Sequence, residues 1–219
     1  MRKVRTAVLI SGRGSNMVAL TKAAQANNYP AEISLVISNI PKAAGLQKAE
    51  ELGVTAMTID HKEFSSRKKF ETALDAVLQQ ANIELICCAG FMRVLTPWFV
   101  NRWKDRLLNI HPSLLPKYKG LNTHQRAIGA GDTEHGCTVH YVTAELDGGA
   151  TILQRSIDIQ PTDTAESLAQ RLLPYEQDLY PEALRKVSSK IAKLDEPVRN
   201  TSFTLYSQTI NSVFINNTS

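Results

Sequence analysis

The run Ile83–Ala89 (IELICCA) carries a single charge and shows no polar–apolar alternation. A strand with one face in water alternates. A run this apolar suits a strand buried on both faces, the setting of a parallel sheet covered by helices. The flanking sequence agrees. Arg5–Ile10, Ile33–Ser38, Val54–Ile59 and Leu107–Ile110 read as further short strands. Between them lie helical patterns. Asn16–Ala26 has Met17, Leu20 and Ala24 at helical spacing, and a second helix opens at Pro41 and stops at Gly53. A third has Phe70, Leu74, Val77, Leu78 and Ala81 on one face, and a short one spans Pro97–Trp103. Strand–helix alternation of this kind predicts a doubly wound, mostly parallel α/β sheet.

The second half changes character. Cys137–Val142 and Ile152–Ile159 read as strands of an antiparallel hairpin around Asp147-Gly148-Gly149. Ala165–Val187 reads as a long helix with Leu168, Leu172, Tyr175 and Leu179 on one face and a kink or break at Pro174. The expected organisation is one domain over residues 1–190 with halves of about 1–105 and 106–190. A polar tail of unassigned role follows at 191–219.

No apolar run approaches the ~18 residues that span a bilayer. The N-terminal run Ala7–Ile10 is shorter than the ~7–15 residues of a signal-peptide core, so a cytoplasmic protein is expected. The three cysteines form neither a disulfide framework nor spaced metal-ligand pairs, and they read as small buried hydrophobes. A net charge of +4, with scattered basic residues, gives little support to nucleic-acid binding and suits small anionic substrates.

Ser11-Gly12-Arg13-Gly14-Ser15-Asn16 follows the first strand and opens a helix. Glycines bare backbone N–H groups there, and the helix N-terminus adds partial positive charge, so the loop can hold an anion. The dinucleotide fingerprint would need a third glycine where Met17 stands, and the Walker A pattern is absent. A single small phosphate, with Ser15 and Asn16 donating alongside the backbone, fits better. A plain strand-to-helix turn capped by Ser15 or Asn16 is the alternative.

Asn109 and His111 lie two apart at the carboxyl end of a strand and so share one face. An amide donor beside an imidazole suits a developing oxyanion. A hydrogen-bonded core histidine is the other reading. Asp147, in an Asp-Gly turn, is the natural third member, because a carboxylate near His111 would favour its charged form. A simple turn residue remains open for it. The other histidines show no metal-ligand spacing, and no metal is assigned.

Four segments occur in order: SGRGSN, AGFMRVL (Ala89–Leu95), NIHPSLLPKYKGLNTH (Asn109–His124) and HGCTVHYVTAELDGG (His135–Gly149). Together they resemble the phosphoribosylglycinamide formyltransferases, the folate-dependent transformylases of purine biosynthesis, over roughly residues 3 to 187. The resemblance implies a Rossmann-like formyltransferase fold and direct formyl transfer from 10-formyltetrahydrofolate to the amine of glycinamide ribonucleotide. It implies Asn109, His111 and Asp147 as the catalytic trio. It assigns the first half to the nucleotide phosphate and the second to folate and catalysis. Gly14, Ser15, Asn16 and Glu176 would hold the nucleotide. Arg67, Met92, Arg93, Val94 and Leu95 would meet the folate, with Asn109 and the loop of Thr143, Ala144, Glu145, Leu146 and Asp147. Partners would be small molecules, with no nucleic acid or membrane, in a monomer or homodimer. Lys119 and Asn122 depart from the family pattern, which has proline and histidine there, and Pro174 puts the Glu176 contact in question.

Three other readings share some of these features. Methionyl-tRNA formyltransferase shares the N-x-H-P-S-L-L-P segment but carries a second, tRNA-binding domain, for which this chain has little room. Formyltetrahydrofolate hydrolase adds an N-terminal regulatory domain, whereas here the sheet begins by Arg5. A non-catalytic phospholigand-binding module would need only the glycine loop, and the intact trio argues against it.

Overall fold

A computed structural model of the chain describes residues 2–194. Its strands are β1 (Val4–Ile10), β2 (Ala31–Ser38), β3 (Ala56–Thr58), β4 (Leu85–Cys88), β5 (Leu107–His111), β6 (Glu134–Tyr141) and β7 (Thr151–Asp158). They form one seven-stranded sheet in the order β3-β2-β1-β4-β5-β6-β7. The first five pair in parallel. β6 runs antiparallel to β5 and β7 antiparallel to β6, so the expected hairpin forms and extends the sheet.

The helices are α1 (Ser15–Ala24), α2 (Ala44–Glu51), α3 (Arg67–Gln80), α4 (Pro97–Arg102), α5 (Thr123–Gly129) and α6 (Ala165–Leu194). Strand alternation divides the core between the two faces of the sheet. Val8 and Ile10 of β1 and Cys87 of β4 join α1 and α6 on one side. Ala7, Leu9, Ile86 and Cys88 join α3 and α4 on the other. Both faces are covered, which is why β4 tolerates no polar residue. Leu74 and Leu78 of α3 are fully buried, each stabilising the fold by roughly 1.5–3 kcal/mol. The three cysteines are buried as expected, and burial pushes the Cys88 and Cys137 thiols up to about 12.

Several local readings need adjustment. The second helix starts at Ala44 rather than Pro41, because Lys42 takes a left-handed φ of 58° and the chain turns there first. Of the kink or break expected at Pro174, the break does not occur: α6 runs on through Pro174 and Pro181 to Leu194. A proline removes one helical hydrogen bond, and the long buried stripe from Leu168 to Ala192 holds the helix on either side. Tyr175 does not join that stripe and is 42% exposed. Finally, α5 is a helix that the pattern did not reveal. Its seven residues supply only two apolar side chains larger than glycine, Ala127 and Ile128. α6 takes in residues 191–194, with Ile191 and Ala192 buried in the core. The tail from residue 195 lies outside the described residues, as do the apolar side chains between Phe203 and Ile215. Among the described residues, no helix is long and apolar enough to cross a membrane.

Candidate active site

The loops after the parallel strands meet at the carboxyl edge of the sheet, where ligands of such folds bind. The glycine loop is the first of them. Gly14 adopts a left-handed φ of 70° and caps α1 without a side-chain hydrogen bond. The first-turn N–H groups of α1 are therefore left for an acceptor from outside the helix. A Cβ on Gly14 would lie 2.8 Å from Gly45 Cα, and one on Gly45 would lie 2.5 Å from Ile10. The loop thus sits glycine to glycine against the first turn of α2, and Gly45 N–H donates to the Gly12 carbonyl at 3.0 Å. Gly45 is a supporting residue missed by the sequence reading. Nothing in its immediate neighbours marks it.

Asn16 is buried and its Nδ2 donates to Glu176 Oε2 at 2.8 Å. Glu176 comes from α6, packed along α1, so Pro174 does not carry it away from the loop. Burial raises the Glu176 carboxyl above its usual range, and the Asn16 bond opposes that shift. Asn16 Oδ1 is buried with no hydrogen-bond partner. Two shallow grooves of about 440 and 320 Å³ share Ser15, Val18, Lys22 and Gln177 along the outer side of α1. Neither is lined by Asn109, His111 or Asp147.

Those three residues do converge. Asn109 and His111 project from one face of β5. The β5–β6 register sets His140 opposite Asn109 and Thr138 opposite His111. Asp147 arrives from the turn between β6 and β7 with a left-handed φ of 48°, a conformation that aspartate tolerates better than most residues. Gly149 keeps the turn against β6, since a Cβ there would lie 1.7 Å from the Tyr141 carbonyl oxygen. Asp147 Oδ2 lies 3.5 Å from His111 Nδ1, and both side chains are under 10% exposed. The same oxygen accepts the Gly120 N–H at 2.8 Å. On its other side, His111 Nε2 faces the Tyr118 carbonyl at 3.0 Å. Both ring nitrogens thus face acceptors, an arrangement that an imidazolium, with two N–H groups, satisfies fully.

His140 is the member that the sequence reading missed. Its Nε2 lies 3.3 Å from Asn109 Nδ2 and 3.7 Å from Asp147 Oδ1. Its Nδ1 faces the Tyr141 carbonyl at 2.9 Å. Burial is the main cause of its lowered pKa, favouring the neutral ring. With Nδ1–H given to Tyr141, Nε2 accepts from Asn109. One N–H of the amide is then held and the other left to donate. The signal was available in principle, since alternation from Thr138 puts His140 on the same face, but only the hairpin register aligns it with Asn109.

The remaining expected residues are distributed around this centre. Met92 is 70% exposed and Val94 54%, while Leu95 is buried and Arg93 stacks over Phe70 with its guanidinium carbon 5.3 Å from the ring centroid. Exposed apolar side chains in a loop beside the trio fit a ligand surface better than core packing. Arg67 is exposed at the start of α3, one turn before Phe70. Thr143, Ala144, Glu145 and Leu146 are exposed. Lys119 donates to Glu145 at 2.6 Å and holds that carboxyl below its usual range. The departure at position 119 thus ties two loops that frame the trio. Asn122, at φ 58°, caps α5 in a left-handed conformation that asparagine tolerates. The glycine loop and the trio are separated by β4, two strand spacings or ~10 Å across the sheet. Among the described residues, no group of three or more His, Cys, Asp or Glu is placed to hold a metal.

Comparison with known proteins places this architecture. The Formyl transferase family model matches residues 4–184. The chain is 45% identical over 181 residues to the phosphoribosylglycinamide formyltransferase of Haemophilus influenzae, covering 83% of this chain and 84% of that protein. It is 44% identical over 195 residues to the human trifunctional purine biosynthetic protein adenosine-3, covering 89% of this chain but spanning only 19% of that larger protein. The crystal structure of the phosphoribosylglycinamide formyltransferase from Brucella melitensis matches with a TM-score of 0.82 at 46% identity, covering 85% of this chain and 96% of the other.

Proposed function

The chain belongs to the formyl transferase family, among its phosphoribosylglycinamide formyltransferases, and from that premise we propose the reaction and the residues that carry it. The enzyme transfers the formyl group of 10-formyltetrahydrofolate to the primary amine of 5'-phosphoribosylglycinamide. The products are tetrahydrofolate and 5'-phosphoribosyl-N-formylglycinamide, an intermediate of purine biosynthesis. The amine attacks the formyl carbon directly. The free N–H of Asn109 and the imidazolium of His111 stabilise the oxyanion of the tetrahedral intermediate. Asp147 keeps His111 charged and helps a water carry the proton from the attacking amine to the folate nitrogen. Gly14, Ser15 and Asn16 bind the phosphate at the N-terminus of α1, with Glu176 beside them. Met92–Leu95, Arg67 and the 143–147 loop receive the folate. The reaction needs only small-molecule substrates, no metal, and a cytoplasmic setting, in a monomer or homodimer.

The observation that carries this reading is the meeting of an amide, an imidazole and a carboxylate from β5 and the β6–β7 turn, within 4 Å links of one another through His140. A coupled absorbance assay with both substrates tests it. Formyl transfer should require the nucleotide, and His111→Ala should lower turnover roughly 10²–10⁴-fold with nucleotide binding retained. Hydrolysis of the folate without the nucleotide would favour a hydrolase instead. A fully active alanine variant would remove His111 from the mechanism.

A further inference from the structure

Ser11, the first residue beyond β1, carries a hydroxyl for which the reaction above has no use. Its main-chain N–H donates to the Gly90 carbonyl at 3.1 Å. Its hydroxyl lies 2.5 Å from Asn39 Oδ1 and 2.8 Å from the Met92 backbone nitrogen. A serine hydroxyl has one proton and two lone pairs. The Asn39 oxygen can only accept, so the proton goes there, and a lone pair receives the Met92 N–H. Asn39, 2% exposed and just beyond β2, is held in turn by His61. The His61 Nδ1 is 2.8 Å from the Asn39 carbonyl and 3.1 Å from its Nδ2. One ring position serves one bond, and the shorter contact makes it a donor to the carbonyl. The tie therefore links the segments that follow β1, β2, β3 and β4.

The far end of this chain of bonds is the exposed stretch around Met92 and Val94. The Met92 and Val94 side chains stand in solvent; Arg93, over Phe70, and buried Leu95 anchor the stretch farther along, and Met92 itself is little oriented by packing. The Ser11 bond sets the plane of the Phe91–Met92 peptide, and the Ser11–Gly90 bond sets the residue two before it. The hydroxyl is directed toward Asn39 and Met92, whereas the phosphate-binding groups of the glycine loop begin three residues later at Gly14. We propose that Ser11 is a positioning residue for the folate co-substrate, holding the Met92 peptide so that the Met92–Leu95 segment presents a fixed backbone to it. The inference rests on the reading of that segment as the folate contact.

The test is steady-state kinetics on the full-length enzyme with each substrate varied in turn. Net loss of one neutral hydrogen bond is worth about a 2- to 12-fold change in an equilibrium. Ser11→Ala is accordingly expected to raise the KM for 10-formyltetrahydrofolate about 5- to 10-fold, leaving the nucleotide KM and kcat within about 2-fold. Ser11→Thr, which keeps the hydroxyl, restores the folate KM to within about 2-fold. Ser11→Cys keeps the size but bonds weakly, and it gives an intermediate rise that carries the test should the alanine variant fail to fold. An unchanged folate KM in the alanine or cysteine variant overturns the proposal. So does an equal rise in both KM values, or a threonine variant no better than alanine. Wild-type enzyme that transfers no formyl group from the folate overturns the underlying reading, and the proposal falls with it.

Discussion

Replacing Asp147 by asparagine removes one charge and almost no volume, so it isolates what the carboxylate does for His111. At the observed 3.5 Å, a full charge pair is worth ~5 kcal/mol at an effective dielectric constant of ~20 and ~1 kcal/mol in bulk water. Both side chains are under 10% exposed but line a site open to substrate, so a value between these limits, about 3 kcal/mol, is appropriate. If the imidazolium stabilises the oxyanion, that loss appears in the transition state. Each 1.36 kcal/mol is a factor of ten, so kcat should fall about 100-fold. The Gly120 N–H bond can persist, because the amide oxygen of asparagine still accepts it. The fold and the nucleotide KM should therefore stay close to wild type. The assay is the absorbance change on tetrahydrofolate formation at saturating substrates, with thermal melting as the control for folding. A kcat within threefold of wild type in a well-folded variant would refute the assignment of Asp147 as the residue that holds His111 charged.

Two further outcomes follow from the same geometry. Ser15→Ala combined with Asn16→Ala removes two of the proposed phosphate donors and leaves Glu176 without its 2.8 Å partner. It should raise the nucleotide KM at least 10-fold with the folate KM nearly unchanged, as loss of binding common to ground and transition states does. A change confined to the folate KM would put the phosphate site elsewhere. Acid should weaken the fold through His135, which is 1% exposed and whose imidazole is lowered to about 4 by burial and by neighbouring His124. The unfolded chain takes up this proton near pH 6.5 and the folded chain only near 4. The stability from the neutral ring is thus complete above pH 6.5 and lost as pH falls toward 4, at most ~3 kcal/mol in all. Urea unfolding at pH 7 and pH 5 should show a smaller pH dependence in His135→Phe. Equal dependence in variant and wild type would exclude His135 as the source.

How much of this was legible in the chain depends on the range of the physics involved. Among the described residues, the seven strands and five of the six α-helices follow from periodicity, since an apolar run or a 3.6-residue stripe is a local record of which faces meet the core. The runs in β1, β2 and β4 are apolar because helices cover both sides, and that requirement is written residue by residue. Asn109 and His111 were legible as a pair for the same reason, because strand alternation fixes their common face. The start of α2 and the continuity of α6 were not. A left-handed Lys42 and a helix that continues through two prolines are outcomes of packing that local preference opposes.

The third member of the trio, Asp147, and its neighbour His140 show the boundary most clearly. Along the chain, Asp147 is an Asp-Gly turn residue and His140 one polar residue in a strand. The chemistry of a carboxylate beside His111, and resemblance to a family, suggested the first; alternation puts the second on the right face, but nothing local pairs it with Asn109. Their places depend on the β5–β6 register, the turn that Gly149 holds against Tyr141, and Gly120 closing from another loop. The same holds for Gly45 beneath the glycine loop and Ser11 beneath Met92. Sequence by itself determined the class of fold and the residues able to do acid–base and anion-binding work, because composition and periodicity are properties of short segments. Only the tertiary structure decided which of them touch, because those contacts join segments up to 160 positions apart, as Asn16 and Glu176 are.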